Sequence, residues 1–214
     1  MATTGARRGI YAGRSTEQRR AERRGKLVDA AFEIWGDQGW SAVSMRGVCA
    51  RAALTDRYFY ESFADVDALL TAVWERVRDN AIQRVVEAAL HAPSDPIERL
   101  RAALAVFVHD LTEDPRLGRI GFGDHTGNAV LERLRKEALQ QFTDLLIELG
   151  QPYLRRDIDP IDFRMSVLLG IGGFIELVTA WLGGAIEVDA DRIVDHTTTL
   201  GADMAARYLA QPAT

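Results

Sequence analysis

The sequence predicts an all-α fold, and three observations carry that prediction. Apolar residues recur three and four apart along most of the chain, while strand-type alternation is scarce. Glycine and proline fall between the periodic runs, as helix punctuation does. Apolar residues make up 47% of 214 residues, enough for a large core without a disulfide or metal staple. The single cysteine, Cys49, has no partner for an intrachain bridge and fits a reducing compartment.

Taken in order, residues 1–14 hold Gly5, Gly9 and Gly13 among Arg7, Arg8 and Arg14 and are expected to form a flexible basic arm. No apolar run follows those arginines, so a signal peptide is not expected. Ser15 with Gln18 forms a possible capping box. The helix it opens runs to about Gln38, with Leu27, Ala31, Ile34 and Trp35 on its buried side, and Gly39 ends it. Two short helices follow, at about 44–51 and 55–62. A long helix runs from Asp65 to about Leu90. Pro96 opens another that ends near Pro115. Four glycines between Gly118 and Gly127 predict an irregular segment. Helical patterning resumes at about 130–149, 160–183 and 189–209. The expected organisation is an arm at 1–14, a three-helix domain at 15–63 and a larger helical domain at 64–214.

Charge divides along the same line. The net charge of −5 hides a head, residues 1–63, with 11 basic and 7 acidic side chains, and a body with 15 against 24. A basic head on an acidic body is expected when one end meets phosphates. Within the head, the stretch from Ser44 to Phe63 has the features of two steeply crossing helices. Val48, Cys49 and Ala52 line the inner face of the first, and Ala53 and Leu54 make the turn. Thr55 is placed to cap the second, while Phe59 and Phe63 point back to the core. That leaves Arg57, Tyr58, Tyr60 and Glu61 outward. Cys49 reads as buried, inert packing.

These residues resemble the DNA-binding domain of the TetR family of repressors. The resemblance rests on Gly39-Trp40, Ser44, the turn Ala52-Ala53-Leu54-Thr55, Tyr60-Glu61-Ser62-Phe63 and the following Asp65-Val66-Asp67-Ala68-Leu69-Leu70. Length and helix order agree over nearly all the rest. It implies a cytoplasmic transcriptional regulator, a repressor released by a small effector, acting as a homodimer on an inverted-repeat operator in double-stranded DNA. By resemblance, Ser44, Thr55 and Tyr60 donate to phosphates. Arg57 and Tyr58 are the expected base readers, on a guanine edge and a thymine methyl, and Arg46 reaches either target. Three departures stand out. Ala53 replaces the turn glycine, Val66 replaces a phosphate-binding lysine, and Glu61 replaces a common histidine. The last two shift weight onto Ser44, Arg46, Tyr60 and the arm.

In the body, residues 167–185 carry one ionisable side chain, Glu176. Its charge and the absence of a basic anchor argue against a membrane span. The expectation is a helix covered on one side by its own subunit and on another by a second. By resemblance, helices at about 160–183 and 189–209 pair with their symmetry mates. An effector pocket is expected between the fourth and eighth helices, with candidates Trp74, Phe107, Phe122, Phe142 and Phe174 and polar handles His109, His125 and Glu176. A mostly apolar lining predicts a lipophilic effector.

The alternatives are an enzyme, or a helical small-molecule-binding module without DNA. His91, His109, His125 and His196 have no helical metal-ligand spacing, and no metal or cofactor is expected. Gly121, Gly123 and Gly127 lack the preceding strand and spacing of a phosphate loop. No nucleophile elbow is present.

Overall fold

A computed structural model describes residues 15–210; the basic arm expected at 1–14 lies outside them. The described residues form nine α-helices: α1 (Thr16–Gln38), α2 (Met45–Ala52), α3 (Asp56–Tyr60), α4 (Val66–His91), α5 (Pro96–Glu113), α6 (Pro115–Phe122), α7 (Ala129–Gly150), α8 (Pro160–Leu182) and α9 (Ala190–Tyr208). The fold is all-α, as expected, with one isolated antiparallel bridge between Leu154 and Leu209.

The helix starts are encoded locally. Ser15 and Gln18 make the capping box at α1, and Gly39 ends that helix at φ 90°. Asp65, Asp95, Asp114, Asn128, Asp159 and Asp189 accept from first-turn amides of α4 to α9, and Pro96, Pro115 and Pro160 open three of those helices. Each such cap satisfies amides the helix cannot bond itself. α3 is the exception. Thr55 has the extended backbone of an N-cap, but its hydroxyl makes no capping bond. Five residues without a side-chain cap depend on tertiary support.

The expected irregular segment at 118–127 is corrected: α6 occupies its first half. Gly118 is a point of close approach between α6 and α8. Ile120 is fully buried, and a Cβ on Gly118 would lie 2.9 Å from a Leu182 methyl. Where α6 meets α1, a Cβ on Gly36 would lie 2.5 Å from Cβ of Arg116. The Arg119 guanidinium donates to the Gly36 carbonyl. α6 therefore lies directly on α1, joining body to head.

The main core crosses the boundary expected at 63/64. Leu27, Ile34, Trp35, Val48, Phe59 and Phe63 pack in one cluster with Leu69, Leu70, Val73 and Trp74 of α4, Ile120 of α6 and Leu131 of α7. A second cluster, around Leu104, Val108, Ile193 and Val194, ties α5 to α9 and gathers Phe107, Phe174 and Trp181 around it. α8 is covered only in part: its most apolar stretch is 11% buried within the subunit. Phe163, Val167 and Val178 face inward, while Ile161, Met165, Leu168 and Leu169 are open to solvent.

Candidate nucleic-acid interface

α2 and α3 form the helix-turn-helix. Ser44 caps α2 by accepting from the Gly47 amide at 3.2 Å, which leaves its hydroxyl hydrogen free to donate outward. Gly47 keeps that geometry open, since a Cβ there would stand 3.1 Å from the Ser44 hydroxyl. The turn residue Ala53 sits at φ 53°, ψ 43°, a left-handed conformation. It is the one non-glycine residue with positive φ among the described residues. Ala53→Gly is therefore expected to stabilise the protein. Relief of the left-handed strain exceeds the extra entropy glycine loses, for a net gain of about 0.5–1 kcal/mol. A melting curve raised by about 2–4 °C per kcal/mol is the check; an unchanged or lowered Tm would contradict the strain argument.

Phe59 and Phe63 anchor α3, both buried, with rings 5.9 Å apart. Ser44, Arg46, Thr55, Arg57 and Tyr60 are all exposed, and Tyr58 is half-buried. The structure thus gathers the six expected DNA-contacting side chains on α2, α3 and their leading turns. α3 is shorter than expected: Glu61 and Ser62 form a turn after it. Val66 opens α4 and packs against the main core, so it takes no surface role in place of a lysine. Cys49 is buried, and burial pushes its thiol pKa up, away from reactivity.

Sequence reasoning missed the arginines of α1. The Arg20 guanidinium donates to the Glu61 carbonyl at 2.7 Å. Arg23 lies 3.6 Å from the Glu61 carboxylate and covers the Tyr58 ring at 4.5 Å, and Arg24 covers Phe63 at 4.7 Å. The basic run at 19–24 was visible in the sequence, but its register on α3 was not. Glu61 also accepts from Arg57 Nε at 3.0 Å. These contacts supply the support that α3 lacks at its own N-terminus.

The expected effector residues separate into groups. Phe107 stands 5.9 Å from Phe122 and 5.8 Å from Phe174, so α5, α6 and α8 do bring three aromatics together. Phe142, on α7, makes no ring contact with them among the described residues. His109 is exposed and faces α9, 3.3 Å from Asp191, and Glu176 is exposed beside Arg135. His125 and Trp74 lie elsewhere, in the joint between head and body. The His125 ring is wedged edge-on between Trp35, at 5.8 Å, and Trp74, at 5.3 Å. Neither His125 nitrogen, nor Trp74 Nε1, has a hydrogen-bond partner. Trp40 Nε1 donates to the Asp124 carbonyl at 3.0 Å, closing the same joint.

An exposed helix-turn-helix on a helical body, its recognition helix carrying arginine and tyrosine, defines a DNA-binding transcriptional regulator. Comparison with known proteins finds similar regulators. Residues 27–73 match the family model for bacterial regulatory proteins of the tetR family. The chain is 29% identical over 181 residues to the HTH-type transcriptional activator FasR of Mycolicibacterium smegmatis, covering 83% of this chain and 80% of FasR. It is 30% identical over 104 residues to the HTH-type transcriptional regulator AcrR of Shigella flexneri, covering 48% of each. The fold matches that of the transcriptional regulator FadR from Bacillus subtilis, solved in complex with stearoyl-CoA. That match has a TM-score of 0.66 and 19% identity, covering 82% of this chain and 96% of FadR. The head thus carries the DNA-binding domain of the tetR family, and the chain is similar to an HTH-type transcriptional regulator over most of its length.

Proposed function

We propose that the protein is a cytoplasmic homodimer that represses transcription from an inverted-repeat operator and is released by a lipophilic effector. The carrying observation is the exposed side-chain set on α2 and α3. Arg57 and Tyr58 read base edges, while Ser44, Thr55 and Tyr60 donate to phosphates and set register. Arg46 is exposed beside them and serves either target. A two-fold dimer presents two copies of α3, so half-sites stand near a multiple of one helical turn apart. The solvent-facing apolar side of α8 supports the dimer. The Phe107, Phe122 and Phe174 cluster supports an apolar effector, as does the stearoyl-CoA bound by the FadR of similar fold. An activator reading is favoured by the name of the FasR relative. The two readings differ in where the operator lies relative to the promoter, which footprinting on the DNA flanking the gene resolves.

The test is operator binding by variants across a panel of DNA sequences. Arg57→Ala and Tyr58→Ala are expected to change which sequences bind, at about 1–3 kcal/mol per lost base contact. Ser44→Ala and Tyr60→Phe are expected to weaken all sequences about equally, because phosphates carry no sequence information. An unchanged preference in both Arg57→Ala and Tyr58→Ala would overturn the base-reading assignment.

A further inference from the structure

Glu61 is the feature of the interface that a phosphate-binding surface does not explain. A carboxylate beside the recognition helix repels DNA, and general electrostatics would favour a neutral or basic side chain there. Yet three arginines converge on it. Its carboxylate, just past the end of α3, takes Nε of Arg57, four residues back in that helix, at 3.0 Å and stands 3.6 Å from Arg23 of α1. Its carbonyl accepts from Arg20 at 2.7 Å. Arg23 in turn covers the Tyr58 ring at 4.5 Å. One acidic residue thus touches one proposed base reader directly and the other through a single arginine.

The geometry points to Glu61 as a positioning and specificity-determining residue that holds Arg57 in base-reading orientation. This rests on the proposed reading of bases by Arg57. A guanidinium is a rigid planar fork with five N–H donors. Glu61 engages the Nε side, and the two terminal nitrogens, Nη1 and Nη2, have no partner among the described residues. The Arg57 side chain is 84% exposed, so its outer edge is open to the solvent that a major groove would replace. Guanine presents two acceptors, O6 and N7, at a spacing that a guanidinium edge matches. Fixing the inner side of the fork lowers the entropy lost when the outer edge binds, and it restricts which base edges that side chain can reach. A free arginine would swing to the nearest phosphate, a contact that is strong and blind to sequence. Glu61 opposes that swing twice, by bonding the side chain and by repelling phosphate. The cost is overall affinity; the gain is discrimination.

Charge and positioning separate experimentally. Glu61→Gln removes the charge but keeps an oxygen that accepts from Arg57 Nε; Glu61→Ala removes both. Each is measured against the operator, against operators changed at the base pair facing Arg57, and against random-sequence DNA. Both variants are expected to bind random DNA a few-fold more tightly, because repulsion is gone. Glu61→Ala is expected to lose about tenfold in discrimination, within the range of one bidentate base contact, whereas Glu61→Gln retains most of it. In an Arg57→Ala background the Glu61 substitutions are expected to change discrimination no further. Circular dichroism checks the fold of each variant. If truncation loosens α3, Glu61→Met, which fills the space without an acceptor, replaces Glu61→Ala in the comparison. Equal discrimination in the Gln and Ala (or Met) variants would overturn the positioning role while leaving base reading intact. Full discrimination in Arg57→Ala would overturn both.

Discussion

Leu169→Glu is expected to leave the subunit folded, convert the proposed dimer to a monomer and weaken operator binding by about 10²–10⁴-fold, the avidity two linked half-sites provide. The target follows from what α8 leaves uncovered. Leu169 is 76% exposed and Met165 52%, and with Ile161 and Leu168 they form one stripe at helical spacing. A contiguous apolar stripe of this kind marks an association surface. The opposite side of α8 holds Phe163, Val167 and Val178, which belong to the subunit's own core. Replacing Phe174 or Trp181 would perturb the α5 and α9 packing as well as any interface, so those positions do not separate folding from assembly. A glutamate at Leu169 is solvated in the monomer and is buried without a partner on each side of a symmetric dimer. Light scattering at micromolar concentration reads the assembly state, and circular dichroism reads the fold. A Leu169→Glu protein that remains dimeric, or a wild type that is already monomeric, would contradict the assignment of α8.

His125→Phe is expected to stabilise the protein at neutral pH and to flatten its loss of stability in acid. His125 is buried between Trp35 and Trp74 with neither nitrogen hydrogen-bonded. Burial lowers its pKa below the usual 6.5, and repulsion from Arg135 adds to the effect. The Asp124 carboxylate and the nearby Ile120 carbonyl, which does not reach hydrogen-bond geometry, offset this only in part. The sign follows from proton uptake. Below about 6.5 the unfolded chain takes up a proton that the folded chain refuses, so stability falls as pH drops through that value. The slope from this one group reaches at most about 1.4 kcal/mol per pH unit. Phenylalanine keeps the aromatic packing and removes both unpartnered nitrogens, whose burial costs about 1–3 kcal/mol. Thermal melts of both proteins from pH 5 to 8 give the difference curve. A His125→Phe protein that is less stable at pH 7, or that has the wild-type acid slope, would show that the ring nitrogens are satisfied in solution. The position matters for function because the ring touches Trp35 of the DNA-binding head and Trp74 of α4, the helix that leads into the body.

Much of this molecule was legible in its sequence because its signals are local. The capping box at Ser15, the acidic N-caps with their prolines and the stop at Gly39 each act within one turn, so helix order and most boundaries followed from neighbouring residues. The helix-turn-helix was legible for the same reason. Phe59 and Phe63 had to face the core, which left Arg57 and Tyr60 outward, and Ala53 had to take the left-handed turn position. Tertiary structure alone decided the rest. Thr55 looked like a cap, yet α3 is held by arginines from α1. Gly118 and Gly121 looked like breakers, yet both lie within α6, where Gly118 lets Leu182 approach closely. His125 looked like a pocket group and is a wedge between head and body. His109 and Glu176 looked like polar handles and pair with surface charges. Glu61 looked like a defect in a phosphate-binding surface and proved to be where three arginines meet. In each case the deciding contact joins residues far apart in sequence, and no local pattern records which distant partner a side chain will meet.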